Sequence, residues 1–126
     1  MPKSVGKLTI TSTKKMNEYV PRKIKFKAWN SEAKLLMRLN SIDCHKGELF
    51  RKDHILLQFT GLFDKEEEEI YDMDILLIYS EKFLVYWNPE KNGWYFEPLE
   101  KPELAEPFLQ HHAVGMKRLG SFFELS

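Results

Sequence analysis

The segment Leu56–Leu77, LLQFTGLFDKEEEEIYDMDILL, decides the fold of this chain. Both of its ends are rich in large apolar side chains, which are typical of strands, and they enclose an acidic stretch that contains Glu66–Glu69. A run of like charges is most often a solvated surface segment. The sequence therefore predicts two extended elements joined by an acidic surface loop.

Three strands are predicted on the N-terminal side of the acidic loop, and the third overlaps the start of this segment. Ile24–Trp29 alternates apolar residues with lysines, which is the period-two pattern of a strand with one buried face. Leu35–Leu39 is a shorter candidate, either a strand or a helical turn. The third strand, His54–Phe59, is expected to stop at Thr60–Gly61, because glycine adopts backbone angles that other residues resist.

The strand signal is clearest after the acidic loop. Three apolar segments follow one another at short intervals: Ile75–Tyr79, Phe83–Trp87 and Trp94–Phe96. The loop Asn88–Gly93 contains proline and Asn-Gly, which are typical of turns between antiparallel strands, so this half predicts a meander. A short helix at Phe108–Val114 and a closing strand at Arg118–Leu125 complete the pattern. The whole predicts a mainly β fold with minor α content, either a small SH3-like barrel or a strongly bent antiparallel sheet.

Charge is balanced overall and separated along the chain. The 126 residues contain 19 Lys plus Arg and 19 Asp plus Glu, so no global field attracts nucleic acid or anionic lipid. Residues 1–30 carry eight positive side chains and one acid, a local charge of +7. Residues 60–110 carry thirteen acids and four lysines, a local charge of −9. The hydrophobic content of 43% is enough for the core of a single domain.

We expect a basic N-terminal arm at residues 1–21 and a β domain at residues 22–126, with Pro21 at the boundary. Cys44 is the single cysteine, which excludes an intramolecular disulfide and favours a reducing cytoplasm. The longest apolar run, around Ile75–Tyr79, is too short to span a bilayer, and the N-terminus has no apolar run of signal-peptide length. The sequence thus predicts a cytoplasmic protein without membrane contact.

Several motifs occur in a distinctive order: IKFKAWN at Ile24–Asn30, QFTGLFD at Gln58–Asp64, EIYDMDI at Glu69–Ile75 and LGSFFE at Leu119–Glu124. Together they resemble the YopX-like family of phage and prophage proteins, whose members typically read IKFRAWD and then QYTGLKDKNGKEIYEGDIV. The likeness covers roughly residues 22–125. It implies a mainly β fold with a small SH3-like barrel and an origin in a phage, prophage or other mobile element. It implies no known activity, so no catalytic residue is carried over.

This chain departs from the family pattern at two glycines. Where the family has Asn-Gly, this chain has Glu66–Glu67, which predicts a more open loop in place of a tight turn with positive backbone angles. Where the family has Gly-Asp-Ile, this chain has Met73–Ile75, which suggests that the backbone does not require the glycine.

No metal or catalytic motif is found. Counted from Asp64, the sixth residue is Glu69 rather than glycine and the twelfth is Ile75 rather than an acid, so the acidic loop is not an EF-hand. The soft or borderline ligands match no zinc spacing; they are Cys44, His45, His54, His111 and His112. A catalytic pair would require His111 to approach Cys44 in the fold. We predict no cofactor, no metal and no enzymatic activity.

Tyr86, Trp87, Trp94 and Tyr95 form an aromatic hairpin. Adjacent side chains in a strand point to opposite faces, so these rings cannot all enter one core, and exposed aromatic area often marks an interface. We therefore predict a non-catalytic module that binds a protein partner or itself. The aromatic hairpin would supply apolar contacts, and the loop glutamates Glu66, Glu67 and Glu68 would attract basic groups.

The alternative is a nucleic-acid-binding module. Its predicted contacts are the clustered cations of the arm and the first strand: Lys14, Lys15, Arg22, Lys23, Lys25 and Lys27. Trp29 would be available for stacking on a base only if it were exposed, and the first-strand pattern favours a buried Trp29. The acidic half of the chain would repel the same ligand.

Overall fold

The computed structural model describes residues 17–126. Before the acidic loop, this part of the chain forms β1 (Phe26–Asn30), β2 (Leu35–Arg38), β3 (Asp43–His45), β4 (Glu48–Phe50) and β5 (Ile55–Phe63). After it come β6 (Glu69–Tyr71), β7 (Asp74–Ile78), β8 (Glu81–Asn88), β9 (Gly93–Pro98), β10 (Glu106–Pro107) and β11 (Lys117–Ser121). The helices are short: a 3-10 turn at Pro102–Leu104, α1 (Gln110–Ala113) and α2 (Phe122–Leu125).

The strands form two main antiparallel sheets and one small hairpin. The first sheet has the order β2-β1-β5-β6, the second has the order β10-β9-β8-β7-β11, and β3 pairs with β4. The predicted meander is present, since β7, β8 and β9 are consecutive neighbours. The mainly β fold and the strongly bent antiparallel sheet are confirmed, and the sheet curls into a half-barrel. The SH3-like barrel stays a prediction.

The hydrophobic core lies against the meander. Leu76, Val85 and Phe96 come from three neighbouring strands and are almost completely buried. Short elements close over them with Phe108, Ala113 and Met116, and Ile70 joins from the first sheet. Every second residue of β7, β8 and β9 faces this core, so these positions form the inner face of the second sheet.

Gly61 does not end the third predicted strand, and that boundary was wrong. β5 continues through it to Phe63, and the pairing with β6 shifts register between Phe59 and Phe63. Gly61 has a φ of +88°, the conformation that a bulge requires. The Thr60 hydroxyl stabilises the bulge, because it donates to the Ile70 carbonyl at 2.8 Å and accepts from the Leu62 N–H at 3.1 Å.

The closing strand predicted at Arg118–Leu125 is only half correct. The strand ends at Ser121, where a capping box begins α2. The Ser121 hydroxyl accepts from the Phe123 N–H at 3.2 Å, and the Glu124 carboxylate accepts from the Ser121 N–H at 3.3 Å. The helix places the Phe123 ring on Trp29, with 5.5 Å between ring centroids. Trp29 is thereby buried.

Both departures from the family glycines fall on left-handed backbone. The more open loop expected at Glu66–Glu67 was wrong, whereas Met73 takes the left-handed conformation without a glycine, as expected. Glu67 has a φ of +63° and lies in a tight turn in which its N–H donates to the Asp64 carbonyl at 2.9 Å. The Asp64 N–H in turn donates to the Glu68 carbonyl at 2.9 Å, which gives the three-residue hairpin loop that normally places glycine at this position. Met73 has a φ of +68°. The tight backbone is retained without the glycine.

Replacement of Glu67 by glycine should therefore stabilise the protein. A left-handed residue with a side chain costs about 1–2 kcal/mol, and the extra chain entropy of glycine costs about 0.5–1 kcal/mol. We expect Glu67→Gly to raise the free energy of unfolding, measured by urea titration, by about 0.5–1 kcal/mol. The matched control is Glu66→Gly, one residue earlier and outside the left-handed positions, which should lower it by a similar amount. Equal losses in the free energy of unfolding in both variants would contradict the left-handed conformation of Glu67.

Candidate functional site

The acidic turn is organised by a buried aspartate. Asp64, 3% exposed, ends β5, and its Oδ1 accepts from the N–H groups of Glu66 at 2.8 Å and Glu68 at 2.9 Å. Its Oδ2 accepts from the Arg118 N–H at 2.8 Å. Although burial acts to raise the pKa of Asp64, these three backbone donors outweigh it and lower the pKa below its ordinary value. Asp64 thus fixes the turn and attaches it to β11.

Most of the turn glutamates already contact cations of the same chain. Glu66 and Glu68 lie 2.9 and 3.0 Å from the Lys117 ammonium, and Glu69 lies 2.5 Å from Lys25. Among residues 17–126, Glu67 is the loop glutamate without an ion pair. Exposed pairs of this kind add little stability. Their main effect is to reduce the charge that the turn presents to a partner, and the interface role of Glu66, Glu67 and Glu68 stays a prediction.

A second buried aspartate holds an arginine. Asp74 is 1% exposed, and its Oδ2 accepts from the Arg118 Nε at 2.6 Å and from the Tyr71 N–H at 2.8 Å. Burial raises the pKa of Asp74 even though the guanidinium favours the ionised carboxylate. Arg118 therefore supplies both a backbone donor to Asp64 and a charged donor to Asp74. This arrangement has a structural role, because both carboxylates accept hydrogen bonds from groups of the same chain.

Removal of the Asp74 charge should destabilise the fold strongly. In Asp74→Asn the Arg118 guanidinium keeps its partly buried position with only the more distant Glu68 carboxylate, 3.8 Å away, as a counter-charge. Breaking a buried pair of this kind costs about 3 kcal/mol or more. The expected result is a loss of that size in the free energy of unfolding from urea titration. Asp72→Asn is the matched control, since the asparagine oxygen can still accept the 3.3 Å hydrogen bond from the Trp87 N–H and Asp72 has no ion pair, so it should cost less than about 1 kcal/mol. Similar losses in the two variants would show that the ion pair is unimportant.

The aromatic hairpin places rings on both faces of the second sheet. Tyr86 lies directly opposite Tyr95, and Trp87 lies directly opposite Trp94. The tryptophans share the inner face with Val85, and their rings meet edge to face at 5.1 Å. Trp94 packs on the core, whereas Trp87 is 40% exposed.

The tyrosines lie on the outer face and are half-buried, with 6.5 Å between their ring centroids. Burial, followed by the neighbouring Glu97 carboxylate, raises the pKa of Tyr86 above its ordinary value. Both faces of the hairpin therefore present accessible aromatic area.

The predicted basic contacts are only partly on the surface. Lys14 and Lys15 lie outside the described residues, and Arg22 and Lys23 are exposed. Lys25 and Lys27 instead lean over aromatic rings: Lys25 lies 5.7 Å from the centroid of Phe59, and Lys27 lies 4.4 Å from that of Tyr71. They share the face of β1 that also buries Trp29. This face of β1 therefore borders the packed residues around Trp29 and is only partly exposed to solvent.

The cysteine and the histidines do not converge. Cys44 and His45 are exposed on the β3–β4 hairpin, while His111 and His112 lie in α1. Within residues 17–126 the structure has no group of three His, Cys, Asp or Glu side chains arranged to hold a metal ion. His111 is exposed, whereas His112 is half-buried against Phe96, with 4.7 Å between ring centroids.

His112 has a structural role that gives a pH dependence. Its Nδ1 accepts from the Leu109 N–H at 3.0 Å, so the ring must be neutral at this nitrogen to cap α1. Burial, followed by the nearby His111, lowers the pKa of His112 below its ordinary 6.5. The folded state therefore favours the neutral ring. Its contribution to stability is complete above pH 6.5 and is lost as the pH falls through the lowered pKa.

Replacement of His112 by asparagine should remove this pH dependence, because the asparagine oxygen accepts the same hydrogen bond without titrating. The measurement is the free energy of unfolding as a function of pH from about 7 to about 4.5, compared with wild type. His111→Asn is the control and should keep most of the loss on acidification. If His112→Asn shows the same decline as wild type, another group is responsible.

Comparison with known proteins identifies the family and a shared fold. The YopX protein family matches residues 11–119, most of the chain. The chain belongs to the YopX protein family. The match begins inside the segment assigned to the N-terminal arm, and the boundary at residue 22 stays a prediction.

A solved structure, protein EF1440 from Enterococcus faecalis, is similar with a TM-score of 0.59 and 20% sequence identity. The similarity covers 82% of this chain and 96% of that one, and it shows a shared fold. No curated protein matches the sequence. In the described part of the chain, no helix has the length and apolar character needed to cross a bilayer.

Proposed function

We propose that this chain is a non-catalytic β module of a phage, prophage or related mobile element that acts by binding a protein partner or a second copy of itself. The observation that carries the proposal is the exposure of Trp87 at the aromatic hairpin, 40% of its surface, beside Trp94, which meets it edge to face and is packed on the core. A rigid aromatic ring of this kind is the type of residue that dominates binding at protein interfaces.

The aromatic hairpin is suited to binding because it is rigid as well as exposed. Trp87 and Trp94 lie on adjacent strands that are hydrogen-bonded along their length, so the rings are held in place before any partner arrives. The Trp87 N–H is also fixed by the Asp72 carboxylate. Binding to such a surface orders few side chains, which reduces the entropic cost of association.

The mobile-element origin and the cytoplasmic location are parts of the same proposal. The origin rests on the membership of the YopX protein family and on the phage and prophage context that the resemblance implies. The location rests on the exposed free thiol of Cys44, which suits a reducing compartment. The buried acids Asp64 and Asp74 support a non-catalytic role, since their oxygen atoms bind groups of the same chain.

Light scattering coupled to size exclusion tests the self-association form of the proposal. We expect the wild-type mass to exceed the 15.0 kDa of one chain at micromolar concentration, and Trp87→Ser to shift the mass toward that value. Tyr79→Ser is the matched control, because Tyr79 is 95% exposed on a turn, and it should behave as wild type. A monomeric wild type removes self-association. If wild type and Trp87→Ser then capture host proteins equally well, the aromatic hairpin is not the binding surface.

A further inference from the structure

A groove of about 440 Å³ lies between the first sheet and the acidic turn, away from the aromatic hairpin. Its cationic wall consists of Lys25, Lys27, Arg38 and Arg118. The groove is also lined by Glu67, Glu68 and Glu69 and by the rings of Phe63 and Tyr71. A neighbouring groove of about 420 Å³ shares Lys25, Arg38, Glu69 and Tyr71 with it, so Arg38 borders both.

Two of the four cations have counter-charges and two do not. Lys25 is paired with Glu69, and Arg118 is paired with Asp74. For Lys27 and Arg38, no carboxylate of residues 17–126 is within ion-pairing distance. Residues 1–16 contain no Asp or Glu, so the rest of the chain has no acidic side chain to offer them.

The two unpaired cations are also forced together. Lys27 and Arg38 are directly opposite each other in the β1–β2 ladder, and like charges in this position destabilise a sheet. Lys27 is half-buried, and burial, then Arg118 and Arg38, lower its pKa, while Asp74 and Glu124 act in the opposite direction. Each of these two acids already has a donor, Arg118 for Asp74 and the Ser121 N–H for Glu124. An anion in the groove would relieve this repulsion.

We propose that the groove binds one small oxyanion of the phosphate class, held by Arg38 and Lys27. A guanidinium offers paired N–H donors that match two phosphate oxygens, and the lysine ammonium supplies a compact point charge beside it. The ligand is either inorganic phosphate or the terminal phosphate of a small molecule such as a mononucleotide. The three glutamates that also line the groove would repel the successive phosphates of a nucleic-acid strand, which limits the site to a compact anion.

The test is a titration of ¹⁵N-labelled protein with inorganic phosphate at constant ionic strength, followed by two-dimensional amide NMR. We expect saturable shifts centred on β1, β2 and Arg118 that chloride does not reproduce. In Arg38→Gln the affinity should fall about tenfold to a hundredfold, the loss of one charged hydrogen-bonding group. Arg38 is exposed and has no ion pair with a described residue, so this variant should fold, and its spectrum verifies that it does.

Lys91→Gln is the matched control, since it removes one positive charge from the loop after β8, and it should bind phosphate as wild type does. A second titration with AMP should shift the same amides, with effects that extend into the neighbouring groove. The proposal is overturned if phosphate produces no saturable shifts, or if Arg38→Gln and wild type bind equally. It is also overturned if a single-stranded oligonucleotide binds these residues more tightly than phosphate and with a strong salt dependence, which would favour the nucleic-acid alternative.

Discussion

The structure depends on the way in which one arginine is held by two buried aspartates. Arg118 lies in the edge strand β11 of the second sheet, and Asp64 lies at the end of β5 in the first sheet. Asp64 binds the Arg118 N–H across the two sheets, and Asp74, which holds the Arg118 guanidinium within the second sheet, accepts from the Tyr71 N–H of the first sheet. The two sheets are thus joined by hydrogen bonds that water cannot easily replace. The Lys65 N–H adds a backbone bond to the Met116 carbonyl at 2.9 Å. Without this junction the acidic turn would have no fixed position relative to β11.

The motifs that identify the family turn out to encode this junction and its surroundings. Thr60 stabilises the bulge of β5, Asp64 organises the turn, and Asp74 binds both Tyr71 and Arg118. Each of these residues is buried and hydrogen-bonded within the chain. A specific sequence signature can therefore reflect the residues needed to fix a particular backbone conformation and need not indicate a catalytic activity. The aromatic hairpin lies outside these motifs, whereas the groove beside Arg38 takes Lys25 and Lys27 from the first of them.

Local patterns in the sequence predicted the strands well and their junctions poorly. Alternation and turn residues were sufficient for the meander, because its strands are consecutive and its core face is apolar. The bulge at Gly61 was missed because a glycine inside a strand and a glycine that ends one have the same local signal. The capping box of Ser121 and Glu124 was readable in the sequence and was overlooked. The contacts of Arg118 with Asp64 and Asp74 join residues 54 and 44 positions apart, and a single sequence contains no signal for them.

The left-handed residues have a consequence for how this chain folds. Seven non-glycine residues of the described part have positive φ, among them Glu67, Met73 and Tyr79 at three successive reversals. A turn that contains a left-handed residue with a side chain is unfavourable in an isolated peptide. The hairpins that contain such turns therefore gain little stability from local contacts early in folding. The β8–β9 loop also contains a left-handed residue, Asn92, but asparagine tolerates this conformation better than most residues. The Asn88 side chain in addition accepts from the N–H groups of Glu90 and Lys91 and organises the reversal locally. Nucleation should therefore begin at β8–β9, with the acidic turn among the last elements to order during refolding.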